Sequence, residues 1–263
     1  MLFQNNPQSR MQKALALSIQ QIPAFRGHAF PHGVFRRYGG ESEAPFDSLN
    51  VSFGVGDEPA RVRGNRQRIK KALNLSSLLS SRQVHQDQVL VLDRRPEGDF
   101  EADGFDALIT NQRGIGLMIQ QADCQAVFLA DPACRAVGIC HVGWRGSVAN
   151  IIGKTIAALE GHFGVHPGHL LAAVSPSLGP CCAEFVNYRL ELPESFWTFR
   201  DAANHFDFWS ISRMQLQDAG VHPKNISIAG VCTVCDPGYF SYRREKNTGR
   251  FASVLAMDNV PAK

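Results

Sequence analysis

The chain has 263 residues, of which 44% are hydrophobic, which is enough apolar material for a sizeable core in one large domain or two small ones. The formal net charge is only +3, and like charges form no long block, so the composition gives no sign of a nucleic-acid tract or a polybasic membrane anchor. We expect a folded globular protein that binds neither nucleic acid nor membrane.

The amino-terminal residues lack the apolar core of a signal peptide, and no run approaches the roughly 18 apolar residues of a membrane span. The chain contains seven cysteines, an odd number that fits reduced thiols better than a disulfide framework. These features predict a cytoplasmic protein in which each cysteine is core filler, a ligand or a nucleophile.

The first half of the chain predicts several strands and one long helix. Residues 1–21 are an amino-terminal extension in which a short helix is expected and whose role the sequence does not assign. A strand is predicted over 28–38, and alternating polar and apolar residues near Ser48 and Asn50 predict a strand edge that presents both side chains on one face. A helix is predicted over 59–73, because proline favours the first helical turn. Further strands are predicted over 83–92, 106–110 and 115–120.

Residues 120–147 organise the rest of the prediction. Two short apolar runs, 126–130 and 136–140, flank an Asp-Pro-Ala-Cys sequence that is typical of a type I turn, so a β-hairpin is predicted. With the turn centred there, Cys124 faces His141. Directly opposed side chains lie about 4.5–5.5 Å apart at Cβ, so a thiol and an imidazole are expected to meet at the open end of the hairpin.

Beyond the hairpin, apolar residues at helical spacing predict a helix that Ser147 caps and that ends near residue 160. Its amide-rich end and Arg145 are expected to lie near the thiol and imidazole, where an anion would bind. The sequence shows no repeat, linker or composition break, so one mixed α/β domain is predicted for residues 1–263. The later predicted elements are strands at 170–174, 226–231 and 251–257 and a helix from about 208 to 220.

Cys124 and His141 are the first chemical candidates, because the predicted pairing brings them together. A third nitrogen ligand would complete a three-ligand zinc site with one open position, the pattern of catalytic rather than structural zinc. His85 is the best third candidate, since it lies at a predicted strand end. The alternatives, mostly in loops or at helix ends, are His28, His32, His162, His166, His169, His205 and His222.

Two other interpretations of Cys124 and His141 stay open. In the first, Cys124 is a buried thiol beside the hydrogen-bonded imidazole of His141 in the core. In the second, His141 activates Cys124 as a nucleophile. In the second case, backbone N–H groups after Trp144 would stabilise an oxyanion.

A separate CxxC pair, Cys232 and Cys235, is a weaker metal candidate. A structural zinc site normally needs a second, suitably spaced pair, and Cys181 and Cys182 are adjacent. Core packing or late-strand placement is therefore favoured over metal binding there.

Several polar and aromatic side chains are candidates for binding or positioning. Arg145, Arg243 and Arg244 carry guanidinium groups that can clamp phosphate, with simple solvation as the alternative. Asp103 and Asp123 would orient a ligand histidine or only cap turns. The remaining candidates for substrate contacts are Ser48, Asn50 and the planar ring of Trp144.

Six segments together resemble the signatures of the YfiH, or laccase-domain, family, also labelled multicopper polyphenol oxidase. The likeness extends in order from about His28 to Met257. Two departures are Gln86, where the family usually has glycine, and Ala183, where an aromatic residue is common; Gln86 would narrow the pocket. The segments are DSLNVSFGVGD, QVHQDQV, ADCQAVFLADP, GICHVGWRGSV, SPSLGPCCAEF and CTVCDPGYFSYRREKNTGRFASVLAM.

The resemblance implies that His85, Cys124 and His141 bind one zinc ion. It implies a single three-layer α/β/α sandwich around a mixed β-sheet, related to a toxin deamidase with a Cys/His site. The implied substrates are a purine nucleoside and phosphate: phosphorolysis of adenosine, inosine, guanosine or methylthioadenosine, with deamination of adenosine as a second reaction.

A zinc ion with an open position would activate water for attack on the purine carbon that carries the amino group. Arg145 and the helix start beside it are the candidate cradle for phosphate. The alternatives are a Cys/His hydrolase or amidase that edits peptidoglycan precursors, a copper-dependent laccase, and a non-catalytic binding module. Copper is less supported than zinc, because the chain contains no His-x-His pair of the kind that multicopper oxidases use. The sequence leaves the oligomeric state open.

Overall fold

A computed structural model describes residues 16–133 and 135–259 of the chain. Within these ranges the order of elements is β1 (Ile19–Gln20), β2 (His32–Phe35), α1 (Pro59–Ala72), β3 (Ser77–Arg82), β4 (Val89–Leu92), β5 (Phe100–Asp103), β6 (Ala107–Thr110), β7 (Ile115–Gln121), β8 (Gln125–Ala130), β9 (Val137–Val142), α2 (Trp144–Val148), α3 (Ile151–Phe163), β10 (Leu171–Val174), α4 (Tyr188–Glu191), α5 (Phe208–Asp218), β11 (Ile226–Ile228), α6 (Tyr242–Glu245) and β12 (Phe251–Leu255).

The strands form two six-stranded sheets, each with parallel and antiparallel pairs. The first sheet has the order β1-β2-β12-β7-β3-β5, and the second has the order β11-β10-β8-β9-β6-β4. Strands β7 and β8 follow each other in the chain but belong to different sheets, so the three residues between them cross from one sheet to the other. Cys124 is the last of these three residues.

The two sheets pack against each other through a shared apolar core. Leu117 and Ile119 of the first sheet lie in one cluster with Phe128 and Ile139 of the second. The outer face of the first sheet packs with Ile69 of α1, and the outer face of the second packs with α3 and α5. The layers therefore follow the order α/β/β/α, with both faces of each sheet covered.

The mixed α/β class predicted from the sequence is confirmed, but the strands form two sheets rather than one. The single sheet that the family resemblance implied is wrong in this respect, because local strand patterns do not show which sheet a strand joins, and the chain passes repeatedly between the two sheets from β3 to β8. The strand near residues 32–35, helix α1, the strands β6, β7, β10, β11 and β12, and helix α5 all form where the sequence predicts them.

Three local predictions are wrong. Ser48 lies in a turn and Asn50 in the irregular segment after it, rather than on a strand edge. The strand predicted over 83–92 begins only at Val89, so that His85 lies in the preceding loop. The helix predicted from Ser147 is two helices, because Asn150 adopts a left-handed conformation and caps α3.

The short helix predicted before residue 21 lies mostly outside the described residues, and Ile19–Gln20 forms a strand instead. Among the described helices, none is long and apolar enough to cross a membrane.

Candidate metal centre

The predicted hairpin is present, with a different register from the expected one. Strands β8 and β9 pair so that Ala126 lies opposite His141, and Val127 lies opposite Cys140. Continued by two residues, this register brings Cys124 level with Gly143. The prediction that Cys124 directly faces His141 is therefore wrong by two positions, because the connection between the strands is longer than the four-residue turn.

A shift of two positions keeps Cys124 and His141 on the same face of the hairpin, because side chains alternate with a period of two. The two residues become diagonal neighbours, which long side chains can still bridge. The sulfur and the imidazole consequently meet at the open end of the hairpin, where the chain crosses between the sheets.

His85 reaches the same place from the loop after β3. Its backbone has a φ of 60°, in the left-handed region that non-glycine residues seldom adopt. The loop is held by one carboxylate: the backbone N–H groups of Val84, His85 and Gln86 donate to Asp106 at 3.1, 3.0 and 2.8 Å. These bonds satisfy three consecutive amides and offset the cost of the unusual conformation.

Asp106 also orients the second histidine. The Nδ1 atom of His141 lies 2.8 Å from Asp106 Oδ1, and Asp106 is completely buried. A carboxylate that accepts from Nδ1–H leaves Nε2 as the free nitrogen, the arrangement found behind many metal-binding histidines. Asp106 therefore holds both histidines, and it stands directly before β6.

The carboxylates expected to orient a histidine are placed elsewhere. Asp103 forms a two-bond ion pair with Arg82 at the surface. Asp123 accepts from the Thr233 hydroxyl and from the Arg243 amide, both at 2.7 Å. Neither bonds to His85 or His141 in the structure, and Asp106 has the positioning contacts expected of them.

The candidate ligand atoms of His85, Cys124 and His141 all lie within 4.8 Å of one another. The two imidazole rings meet edge to face, with centroids 4.8 Å apart. A Cβ atom on Gly143 would lie 3.1 Å from Cys124 Sγ and 3.1 Å from His85 Cδ2, so the absence of a side chain there makes room for the ligands. The other histidines join no group of three candidate ligands within the described ranges.

The electrostatics of the centre favour a thiolate. Burial alone would raise the pKa of Cys124, but the positive charge of His141 and hydrogen bonds from both histidines outweigh it and lower the pKa to about 6. Burial likewise opposes the charge of His141, while Cys124 and Asp106 raise its pKa to about 9. A thiolate and two imidazoles form a donor set that suits zinc and other borderline-soft metal ions.

A cavity of about 1160 Å³ opens over the three residues. Its lining combines planar apolar rings with positive side chains, which suits a flat ligand that carries or meets an anion. The aromatic residues that line it include Phe53, Trp144, Phe185, Phe208 and Tyr242. The cationic residues that line it include Arg82, Arg243, Lys246 and Arg250.

Arg250 lines the same cavity as Cys124. Burial lowers its pKa, and the charges of Cys124 and Asp123 act in the opposite direction. Its Nη1 donates to the carbonyls of Thr248 and Gly249, both at 3.0 Å, which fixes the guanidinium in the wall of the cavity. Sequence reasoning missed Arg250, because nothing in the local pattern separates it from the neighbouring arginines.

The other predicted binding residues are placed as follows. Arg243 and Trp144 line the cavity, whereas Arg145 is exposed, with its guanidinium over the Trp144 ring at 4.2 Å. Ser48 Oγ is engaged with Gly40 and Arg37, outside the cavity lining.

Asn50 is fully buried, and its side chain bonds to Ser52, Asp57 and the amide of Arg250, so it holds the loop that presents Arg250. Gln86 is exposed and does not line the cavity.

A second group of candidate ligands lies outside the centre. The sulfur atoms of Cys181, Cys182, Cys232 and Cys235 all lie within 4.8 Å of one another. Cys232 is buried, as the prediction of core packing requires, and the fold also supplies the second pair that a metal site needs from two adjacent cysteines.

Comparison with known proteins identifies the family to which the chain belongs. The family model described as "Multi-copper polyphenol oxidoreductase laccase" matches residues 31–258. The chain belongs to this family. The resemblance found from the six sequence segments is thereby confirmed.

Relatives in the family carry a more specific name. A curated protein of Streptomyces griseus, named purine nucleoside phosphorylase ORF3, is 34% identical over 229 residues, covering 84% of this chain and 92% of the relative. The crystal structure of YlmD from Geobacillus stearothermophilus is 28% identical with a TM-score of 0.84, covering 94% of this chain and 98% of that chain.

A second solved family member, the hypothetical protein YfiH of Bacillus licheniformis, has a TM-score of 0.79 at 26% identity and covers 86% of this chain and 92% of that chain. These neighbours share the mixed α/β fold.

Proposed function

We propose that this chain is a zinc-dependent purine nucleoside phosphorylase that acts on adenosine, inosine, guanosine and methylthioadenosine and that also deaminates adenosine. The single observation that carries the proposal is the joining of His85, Cys124 and His141 at the floor of a cavity with aromatic and cationic walls. The names of the relatives support the same substrate class.

Zinc is proposed over copper because two imidazoles and one thiolate leave one position open, as in catalytic zinc sites, and the described residues offer no second histidine-rich group of the kind that a multicopper oxidase needs. When bound, the metal supplies a Lewis acid that activates water or polarises a substrate oxygen. Asp106 keeps the His141 ring in one orientation, and the three amides bonded to the same carboxylate keep His85 in place.

Different parts of the cavity wall suit the purine and the phosphate. A planar purine fits between aromatic rings, since offset and edge-to-face packing favour flat π-systems, and Trp144, Phe185 and Phe208 offer such faces. The phosphate requires fixed positive charge, for which Arg250 is the best-placed residue, because its guanidinium is held in the wall beside Cys124. Arg243 is the second candidate, and Arg145 lies outside the lining.

The test is product analysis with zinc-loaded protein. Inosine plus phosphate is expected to give hypoxanthine and ribose 1-phosphate, and no hypoxanthine when phosphate is left out. Adenosine is expected to give adenine with phosphate and inosine without it. Cys124→Ala should lose both reactions, while Cys140→Ala, a change at a buried thiol outside the centre, should keep them. Failure of zinc-loaded wild-type protein on the whole nucleoside panel would refute the proposal.

The two candidate phosphate residues are separated by a pair of variants. Arg250→Ala is expected to raise the KM for phosphate at least about tenfold, the effect of losing roughly 1.4 kcal/mol from a charged hydrogen bond. Arg145→Ala should leave phosphorolysis near the wild-type rate. The reverse result would return the phosphate site to Arg145.

A second candidate function is a cysteine hydrolase or amidase, including one that edits peptidoglycan precursors. The observation that favours it is the low pKa of Cys124, about 6, beside a charged His141. A hydrolase needs the thiolate free, whereas the phosphorylase proposal has it bound to metal. Activity that rises when zinc is removed by a chelator would favour the hydrolase, and activity that is lost would favour the proposed function.

A further inference from the structure

Two segments far apart in the sequence bring four cysteines together at one edge of the cavity. Cys181 and Cys182 follow β10, and Cys232 and Cys235 follow β11, which pairs in parallel with β10. Because parallel neighbours end at the same edge of a sheet, the loops after them are adjacent. The bridge between Ser177 and Cys232 continues this contact beyond the strands.

The spacing of the sulfur atoms matches a tetrahedral metal site. The sulfur of Cys235 lies 3.7 Å from that of Cys181 and 3.6 Å from that of Cys182. Zinc–sulfur bonds of about 2.3 Å in a tetrahedron place the sulfurs roughly 3.8 Å apart. A disulfide would require about 2.05 Å, so the atoms have the separation of co-ligands rather than of bonded partners.

The backbone around Cys232 suits a negatively charged sulfur. The amide of Gly179 donates to Cys232 Sγ at 3.3 Å, and the amides of Val234 and Cys235 also face this sulfur. Amides pointed at a ligand sulfur stabilise a thiolate and orient it toward a metal. The guanidinium of Arg244 is fixed in the same loop, since its Nη1 donates to the carbonyls of Thr233 and Val234 at 2.6 and 3.0 Å. Arg244 also pairs with Glu245, so these bonds hold the loop that carries Cys232 and Cys235 in place.

We propose that Cys181, Cys182, Cys232 and Cys235 bind a second, structural metal ion of the zinc class, distinct from the ion at His85, Cys124 and His141. Four sulfur ligands fill a tetrahedral shell and leave no open position, so this ion is not catalytic. Each thiol gives up its proton on binding, and no change of oxidation state is involved.

The second ion would fasten together two walls of the cavity. Leu178 and Phe185 flank the first cysteine pair, and Tyr242 and Arg243 follow the second; all four line the cavity. The two segments converge on Asp123: its backbone carbonyl accepts from the Leu178 amide at 2.8 Å, and its carboxylate accepts from the Thr233 hydroxyl and the Arg243 amide. Asp123 precedes Cys124, so the proposed structural site is linked to the catalytic one by a short chain of hydrogen bonds.

Metal content distinguishes one site from two. Zinc-reconstituted wild-type protein is expected to hold two ions per chain, one for each ligand group. Cys235→Ser should hold one ion, and so should Cys124→Ser, while the double variant should hold none. The matched control Cys140→Ala removes a thiol outside both groups and should keep two. Two ions retained by Cys235→Ser, or one ion in the wild type that only Cys124→Ser removes, would overturn the proposal.

Spectroscopy on Cys124→Ser tests the ligand set with the cysteine cluster intact, so it does not depend on the folding of a cluster variant. Cobalt bound to this variant is expected to show sulfur-to-metal charge-transfer absorption and intense bands of tetrahedral geometry. X-ray absorption of the zinc form should give four sulfur neighbours at about 2.3 Å. Nitrogen or oxygen in the first shell, or a disulfide among these cysteines in protein alkylated at cell lysis, would contradict a four-thiolate site.

Discussion

Asp106 is the residue on which the geometry of the candidate metal centre most depends, because one buried carboxylate bonds to both candidate histidine ligands or to the loop that carries them. Its oxygens accept from three consecutive amides around His85 and from Nδ1 of His141. Local sequence pattern gives little sign of this role. The partners of Asp106 are 20 to 35 residues away in the chain, and only the folded structure brings them to one carboxylate.

Asp106→Asn is expected to weaken zinc binding by about 10- to 100-fold, the usual cost of losing a carboxylate behind a ligand histidine. The amide keeps the shape but offers one acceptor oxygen instead of two, so either the loop or the His141 ring loses its partner. Competition with a chromophoric chelator measures the affinity. Asp103→Asn, which changes only a surface ion pair, is the control; equal affinities in the two variants would contradict the role of Asp106.

The shifted pKa of Cys124 predicts how metal-free protein reacts with iodoacetamide. A thiolate whose pKa is about 6 stays ionised as the pH falls from 9 toward 6, so alkylation of Cys124 should decline only below about pH 6. Burial raises the pKa of Cys140 to about 12, so this thiol should stay unmodified over the same range. Peptide mass spectrometry follows each site separately. A decline of Cys124 labelling already near pH 8.5 would contradict the thiolate–imidazolium pair.

At the scale of elements, the sequence predicts those that local pattern determines. The hairpin, helix α1 and strands β6, β7 and β10 follow from apolar runs and from turn or proline signals. The hairpin register could not be obtained in this way, since it depends on how many residues the connection takes. Cys124 and His141 still lie on one face of the hairpin, as predicted, because the observed register differs from the predicted one by an even number of positions.

The break between α2 and α3 is likewise not predictable from the apolar pattern alone. Apolar spacing continues through residues 148–159 as though one helix were present, but Asn150 adopts a φ of 54° and its side chain accepts from the Gly153 amide. Asparagine tolerates the left-handed conformation and caps helices well, so it both ends one helix and starts the next.

Asn150→Ala is expected to lower the free energy of unfolding by about 1–3 kcal/mol, since it loses the cap and places alanine in the left-handed region. Asn150→Gly loses the side-chain bond but accepts the positive φ, so its cost should be only a few tenths of a kcal/mol. Urea unfolding of the two variants gives the comparison. Equal losses would mean that backbone conformation contributes nothing at this position.

At the scale of the whole molecule, the arrangement of strands in two sheets determines where chemistry is possible. Cys124 lies in the crossing between sheets, His141 at the end of β9 in the second sheet, and His85 in the loop after β3 in the first. The centre therefore forms only when both sheets are packed together. Sequence reasoning brought Cys124 and His141 together through the predicted hairpin and added His85 as the third candidate, which the family resemblance supported, while the two-sheet packing that unites the three residues was outside its reach.

The four-cysteine cluster was missed for a related reason. Its two pairs are more than fifty residues apart, and adjacent cysteines do not have the spacing of a familiar zinc motif. Parallel pairing of β10 and β11 supplies the missing proximity, which no local pattern encodes.

The most direct test of the proposed zinc centre is X-ray anomalous scattering at the zinc edge from crystals of the zinc-loaded protein. The account predicts a peak bonded to Cys124 Sγ and to one nitrogen each of His85 and His141. Fully active crystals with no metal among these three residues would contradict it.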